Sequence, residues 1–173
     1  GVNPTRSGLL EVLEAAGANL TLEALREDSG EPVADLIIRG DRDLKAFEIA
    51  GDLVPRLIDE IPVLAVLATQ CRGRTVIRDA QEMRVKESDR IATMAEGLIR
   101  MGADVTVHED GMEITGPTTL TATEVDASHD HRIAMSFAIA GLVANGTTRI
   151  SGAESIQTSY PDFQEHLRTL QGR

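Results

Sequence analysis

Gly102-Ala103-Asp104-Val105-Thr106-Val107 restates an earlier stretch, Gly17-Ala18-Asn19-Leu20-Thr21-Leu22, with like-for-like changes 85 residues apart. Two more matches follow in the same order. Leu44-Lys45-Ala46-Phe47-Glu48-Ile49 pairs with Leu120-Thr121-Ala122-Thr123-Glu124-Val125 at an offset of 76. Gly73-Arg74-Thr75-Val76-Ile77 pairs with Gly146-Thr147-Thr148-Arg149-Ile150 at an offset of 73. Three matches in one order, with an offset that falls in steps, indicate an internal duplication whose first copy carries longer loops. The polar run Arg26–Pro32 is the expected insertion.

Each copy reads as alternating helices and strands. Asn3 and Pro4 predict a helix over 4–16 that exits at Gly17. Period-two alternation predicts strands near 18–22, 33–39 and 44–49. A helix at about 60–72 and a strand at 74–79 follow. A second helix, 89–101, places Ile91, Met94, Ala95 and Leu98 on one face and ends at Gly102. Strands near 103–108, 111–115 and 119–125, a helix at 131–144, a strand at 147–151 and a helix at 161–170 complete the pattern. This is an α/β protein with helices covering sheets. The first copy lacks its opening helix and strand, and the last match stops after its helix, so the duplication reads as cut at both ends.

Composition narrows the function. The chain has 173 residues, 42% of them hydrophobic, which is enough for one sizeable core. Its net charge is −11 and its aromatic content 2%, which argues against nucleic acid as a partner. No apolar run approaches the ~20 residues of a membrane span. No signal peptide is visible, and the lone Cys71 excludes an internal disulfide or a cysteine metal cage. These features together predict a cytoplasmic protein. Lys45 and Lys86 are the only lysines, against fifteen arginines.

Polar residues gather at predicted helix starts, where unpaired N–H groups and a partial positive charge favour anions. Asp59 precedes Ile61-Pro62-Val63, Arg84–Arg90 precedes Ile91, Asp130-His131-Arg132 precedes Ile133, and Thr158–Asp162 precedes the last helix. Each feature has a plain alternative. Asp59, Ser88 and Asp130 are good N-caps; Arg90 and Arg132 are by default solvated; Glu87 beside Lys86 and Arg90 is by default a surface ion pair. The run Arg84-Val85-Lys86-Glu87-Ser88-Asp89-Arg90 nevertheless puts three bases and two acids in one turn. A carboxylate flanked by bases is placed to handle protons, and an arginine fork suits a carboxylate or phosphate.

That seven-residue run resembles the signature of the EPSP synthase (3-phosphoshikimate 1-carboxyvinyltransferase) family. Asp130-His131-Arg132-Ile133-Ala134-Met135 and Thr158-Ser159-Tyr160-Pro161-Asp162-Phe163 resemble two further motifs of that family, in its order. The resemblance covers essentially all of residues 1–173. It implies an inside-out α/β lobe built from βαβαββ units, incomplete at its N-terminus. The chain then corresponds to the C-terminal lobe of a two-lobed enzyme whose N-terminal lobe is absent.

The implied reaction transfers an enolpyruvyl group from phosphoenolpyruvate to the 5-hydroxyl of shikimate 3-phosphate, with no metal and no cofactor. Carried over by motif, Asp59 deprotonates the hydroxyl and Lys86 binds it. Glu87 protonates the methylene carbon of phosphoenolpyruvate. Arg90 and Arg132 grip its carboxylate and phosphate, and His131 is a neighbouring contact. Asp59 is matched by its place before the apolar helix, with Glu60 adjacent. Thr158 stands where some members have a lysine, which leaves phosphoenolpyruvate one cation short. The lysine-serine-arginine motif and glycine-rich segment of the other lobe are not in this sequence. Two other readings differ in class or substrate: a non-catalytic binding or scaffold domain, and an enolpyruvyl transferase with a UDP-sugar acceptor.

Overall fold

The computed structural model describes residues 1–40 and 43–172. It begins with helix α1 (Gly8–Ala15) and the strands β1 (Asn19–Asp28) and β2 (Glu31–Arg39). Next come β3 (Glu48–Ile49), α2 (Ile61–Ala68), β4 (Gly73–Ile77), α3 (Arg90–Arg100), β5 (Asp104–His108) and β6 (Gly111–Gly116). The chain closes with β7 (Glu124–Asp126), α4 (His131–Val143), β8 (Arg149–Ser151) and α5 (Phe163–Leu170). Short 3-10 turns at Gly51–Arg56, Gln81–Val85 and Ala153–Thr158 link these elements.

The element order contains one complete βαβαββ unit, from β3 to β6. Its four strands form one sheet in the order β3-β4-β6-β5, with β3 parallel to β4 and the other pairs antiparallel. An αββ piece (α1, β1, β2) precedes it, and a βαβα piece (β7, α4, β8, α5) follows. The duplication holds at the level of single hydrogen bonds. In the complete unit, Arg72 N–H donates to the Leu44 carbonyl and Ala46 N–H to the Arg72 carbonyl. In the following unit Asn145 N–H donates to Leu120, and Ala122 N–H to Asn145. Gly73 and Gly146 have φ of +112° and +110°. A Cβ built on either one would lie 3.2 Å from the Cβ of Ala46 or Ala122 respectively, so both positions require glycine for one reason.

The sheet has a dry face and a wet one. Thr75, Ile77, Met112 and Ile114 alternate inward and are buried, while Arg74 pairs with Glu113 on the outer face. Helices α2 and α4 are apolar nearly all round and lie in the interior, as all-round hydrophobicity requires. Helix α3 is amphipathic and buries one stripe. Gly97 lets it approach α4 closely: a Cβ there would lie 2.1 Å from the Phe137 ring.

Several boundaries differ from the sequence reading. Asn3 caps a turn, not a helix: its side chain accepts from Thr5 N–H, its carbonyl accepts from Arg6 N–H, and α1 starts only at Gly8. The run Arg26–Pro32 is the expected insertion, but it forms strand and not an irregular loop. It lies in an elongated β1–β2 hairpin that turns at Ser29-Gly30, both with positive φ. The predicted strands over 44–49 and 119–125 shorten to two and three residues plus isolated bridges at Lys45 and Thr121.

Candidate functional site

Residues 59–60 lead into α2, residues 84–89 into α3 and Asp130 into α4, and the structure brings these three segments together. Arg90 is the centre of the assembly. Its side chain is only 1% exposed, so its charge needs partners. Nε donates to Asp130 Oδ2 at 2.7 Å, and Nη2 reaches Asp130 Oδ1 at 3.4 Å. Nη2 also donates to Glu87 Oε2 at 2.5 Å, and Nη1 to Asp59 Oδ1 at 3.3 Å. The solvated-arginine alternative fails for Arg90.

Asp130 is itself fully buried and works in two directions. Its Oδ1 accepts from the N–H groups of Arg132 and Ile133 and so caps α4. Its Oδ2 takes the Arg90 bond and a hydrogen bond from the Ser88 hydroxyl at 3.1 Å. Burial alone raises its pKa. The Arg90 hydrogen bond and charge, the Arg132 N–H and the Ser88 hydroxyl outweigh burial and hold the carboxyl below its ordinary value.

Asp59 draws the other cations together. Arg132 Nη2 lies 3.1 Å from Asp59 Oδ2, and Arg132 Nη1 donates to the Asp59 carbonyl at 3.3 Å. Arg6, from the turn before α1, reaches the same carboxylate at 3.4 Å. Asp59 does not cap α2; Glu60 holds that position without a side-chain cap bond. Ser88 is not a cap either, since Asp89 caps α3 through Ala92 N–H.

Beside Asp59 and Arg132 opens a cavity of about 210 Å³ that Met135, Ser136 and Phe163 also line. One wall of the cavity is therefore charged and the rest largely apolar.

Of the six residues predicted from sequence, Asp59, Glu87, Arg90 and Arg132 form one contiguous network. His131 is the first residue of α4, next to Arg132. Lys86 stands apart: its Nζ pairs with Glu82 Oε1 at 3.0 Å on the outer side of the turn. Thr158 ends a 3-10 turn with its hydroxyl bonded to the Ser155 carbonyl. Arg84 also faces away from the network, donating to the His108 and Glu109 carbonyls and to Asp89, and so pins the Lys86 turn onto the β5–β6 turn. Sequence reasoning missed Arg6, which no local pattern ties to Asp59. It missed Glu82 too, although the i, i+4 spacing to Lys86 was readable. Among the described residues no cluster of three or more His, Cys, Asp or Glu is placed to hold a metal, and no helix is long and apolar enough to cross a membrane.

The family model described as EPSP synthase (3-phosphoshikimate 1-carboxyvinyltransferase) matches residues 1–167. A 3-phosphoshikimate 1-carboxyvinyltransferase of Synechococcus elongatus is 57% identical over 172 residues, 99% of this chain and 38% of that protein. The solved EPSP synthase of Acinetobacter baumannii superposes with a TM-score of 0.91 at 47% identity, covering 95% of this chain and 39% of that one. The enolpyruvyl transferase NikO of Streptomyces tendae shares the fold, with a TM-score of 0.73 at 21% identity over 96% of this chain and 35% of its own. The chain thus spans well under half the length of the relatives it matches.

Proposed function

The chain belongs to the EPSP synthase family, and from that premise we propose that it is the C-terminal lobe of a cytoplasmic enzyme. In this reading it supplies one wall of a site that joins phosphoenolpyruvate to the 5-hydroxyl of shikimate 3-phosphate. The observation that carries the reading is the meeting of Asp59, Glu87, Arg90 and Arg132 in one partly open network. The partner is an N-terminal lobe that closes over this wall and excludes water.

The residue types fit the chemistry. A hydroxyl is a weak nucleophile, so Asp59 accepts its proton as the oxygen bonds to C2 of phosphoenolpyruvate. Glu87 donates a proton to C3, which completes a tetrahedral adduct. Loss of a proton from C3 and of phosphate from C2 then regenerates the double bond in the product. Arg90 and Arg132 hold the anionic groups, and their fixed positions give electrostatic stabilisation without reorganisation. Arg90 is the better fixed of the two, because Asp130 anchors its Nε edge in the interior while the Nη groups face Asp59 and Glu87.

These cations are paired with Asp59 and Glu87. Incoming anions therefore take over guanidinium N–H groups from carboxylates, which frees the two acids beside the reacting atoms. Lys86 joins the site by leaving Glu82. That i, i+4 surface pair is worth only about 0.3–0.5 kcal/mol, a small barrier to the movement. His131, next to Arg132 at the start of α4, is the remaining neighbour in this reading.

The experiment joins this chain to the N-terminal lobe of a relative and measures phosphate release from the two substrates. The joined protein turns over; the 173-residue chain alone does not. Glu87→Gln in the joined protein lowers turnover by roughly 10²–10⁴-fold with the fold intact. Normal turnover in that variant refutes the role of Glu87, and turnover by the chain alone refutes the need for a second lobe.

A further inference from the structure

Glu87 sits on an arch of chain that packing does not hold. Met83 before the arch is 0% exposed and Arg90 after it 1%, so both ends are anchored in the interior. Between them, Lys86, Glu87 and Ser88 form bends with no helix or strand of their own. The one apolar side chain in this interval, Val85, is 79% exposed. The shape of the arch therefore falls to its polar contacts.

Arg84 uses every nitrogen of its guanidinium there. Nε donates to the Glu109 carbonyl at 2.6 Å, Nη2 to the His108 carbonyl at 2.6 Å and Nη1 to Asp89 Oδ2 at 2.8 Å. The bond to Asp89 closes the arch on itself, with Glu87 inside the loop. The other Asp89 oxygen caps α3 through Ala92 N–H at 2.9 Å. One guanidinium thus joins both feet of the arch to the β5–β6 turn. That turn is tied in its own right to the end of β4. Asp110 Oδ2 accepts from Asp79 N–H and the Asp110 carbonyl from Ala80 N–H, both at 2.8 Å. A Cβ on Gly111 would lie 1.8 Å from the Ile77 carbonyl oxygen, so the turn seats hard against β4. Every residue of this clamp lies within the complete β3–β6 unit.

We infer that Arg84 is a positioning residue for Glu87, an inference that rests on the proposed function. The Glu87 carboxylate bonds to Arg90 Nη2 at 2.5 Å. In the proposed reaction an incoming anion takes over that N–H group. Glu87 then depends on its backbone for its place beside C3 of phosphoenolpyruvate, and the Arg84 clamp fixes that backbone. Arg84 itself points away from the cluster and touches no reacting group.

Two features make the role specific. The clamp needs a fork: a lysine carries one ammonium on a flexible stem and does not hold the His108, Glu109 and Asp89 acceptors in one fixed plane. The effect also falls on Glu87 more than on its neighbours. Arg90 keeps its own anchor in Asp130, and Lys86 reaches its target on a long stem that adapts to a shifted backbone.

Kinetics of the joined two-lobe protein test the inference. Arg84→Lys lowers kcat by about 10²-fold, the cost of a small misplacement of a reacting group. KM for phosphoenolpyruvate stays near its wild-type value, because Asp130 still anchors Arg90. In a Glu87→Gln background the same substitution has almost no further effect, since Arg84 acts through Glu87. Arg74→Ala, which breaks an exposed pair with Glu113 on the same sheet, leaves kcat unchanged as the control. An unchanged kcat in Arg84→Lys, a loss confined to KM, or an equal loss in both Glu87 backgrounds overturns the inference. A second measurement needs no turnover. In the 173-residue chain a nitroxide on Val85→Cys reads the motion of the arch, and the burial of Cys71 keeps the label at one position. Arg84→Lys makes that nitroxide more mobile at unchanged circular dichroism, and an unchanged spectrum overturns the clamp. A joined protein that is inactive with Arg84 in place refutes the proposed function itself, and the nitroxide spectrum then still decides the clamp.

Discussion

Replacing Asp130 by Asn isolates the charge that anchors Arg90. Asparagine keeps the size of the side chain and is as good an N-cap as aspartate, so the cap on α4 survives through the amide oxygen. What is lost is the acceptor facing Arg90 Nε at 2.7 Å and Ser88 Oγ at 3.1 Å. An amide N–H₂ in that place points donors at donors. Removing one partner of a buried ion pair costs about 3–5 kcal/mol. The loss here falls at the lower end, about 3 kcal/mol, because Asp59 and Glu87 still compensate the Nη side of Arg90. With a urea m-value of roughly 2 kcal/mol/M, the midpoint drops by about 1.5 M at unchanged m.

The pH dependence has a definite sign. Asp130 has a folded pKa below its unfolded one, so its contribution is present above the unfolded value, about 3.9, and is lost as pH falls through the depressed folded value. The midpoint difference between wild type and Asp130→Asn is therefore full near neutrality and shrinks in acid. Equilibrium urea unfolding at neutral and acid pH measures both effects. A loss below 1 kcal/mol at neutral pH, or a difference constant down to the acid limit, would refute the assignment of Asp130 as the anchor.

Three further outcomes follow from the packing and from the site. Gly97→Ala forces a methyl into the Phe137 ring and destabilises the chain by about 1–3 kcal/mol, read by thermal unfolding. Cys71 is buried, and burial raises its pKa to about 11, so a thiol reagent at pH 8 leaves it unmodified in the native chain and reacts after denaturation. Arg6→Ala removes one of three cations from Asp59 at an exposed site and changes stability by less than about 1 kcal/mol in urea unfolding.

Sequence spacing located the architecture well where helices carry their own signals. Helix α3 begins one residue after its Asp89 cap and ends before Gly102, whose φ of +93° only glycine adopts freely. Strand lengths were less legible, because pairing decides them. Thr121 and Lys45 have strand-like neighbours but sit where only a single bridge forms. The β1–β2 hairpin was legible only in part, since its polar outer half has no inward face to produce alternation. For the site, the four residues that gather were each singled out by sequence. Their order of importance was not, because Arg90 looked like a surface residue beside an unfavourable helix dipole and is in fact the most buried of those four charges.

That inversion bears on what the cluster is for. Arginine at a helix N-terminus opposes the partial positive charge there, and burial adds a desolvation cost. Asp130 offsets both, chiefly at the Nε edge of Arg90, with a longer contact to Nη2. A purely structural ion pair needs nothing more than that edge and a covered Nη side. Here the Nη side faces Asp59 and Glu87, whose carboxylates are 22% and 52% exposed. Arg132, one residue into α4, meets the same Asp59 from the cavity side. The fold thus fixes the Arg90 guanidinium from behind and leaves its Nη face against carboxylates that open to solvent. On the proposed function, such an arrangement lets an anion replace a carboxylate without moving Arg90, which is what preorganised binding of an anion requires.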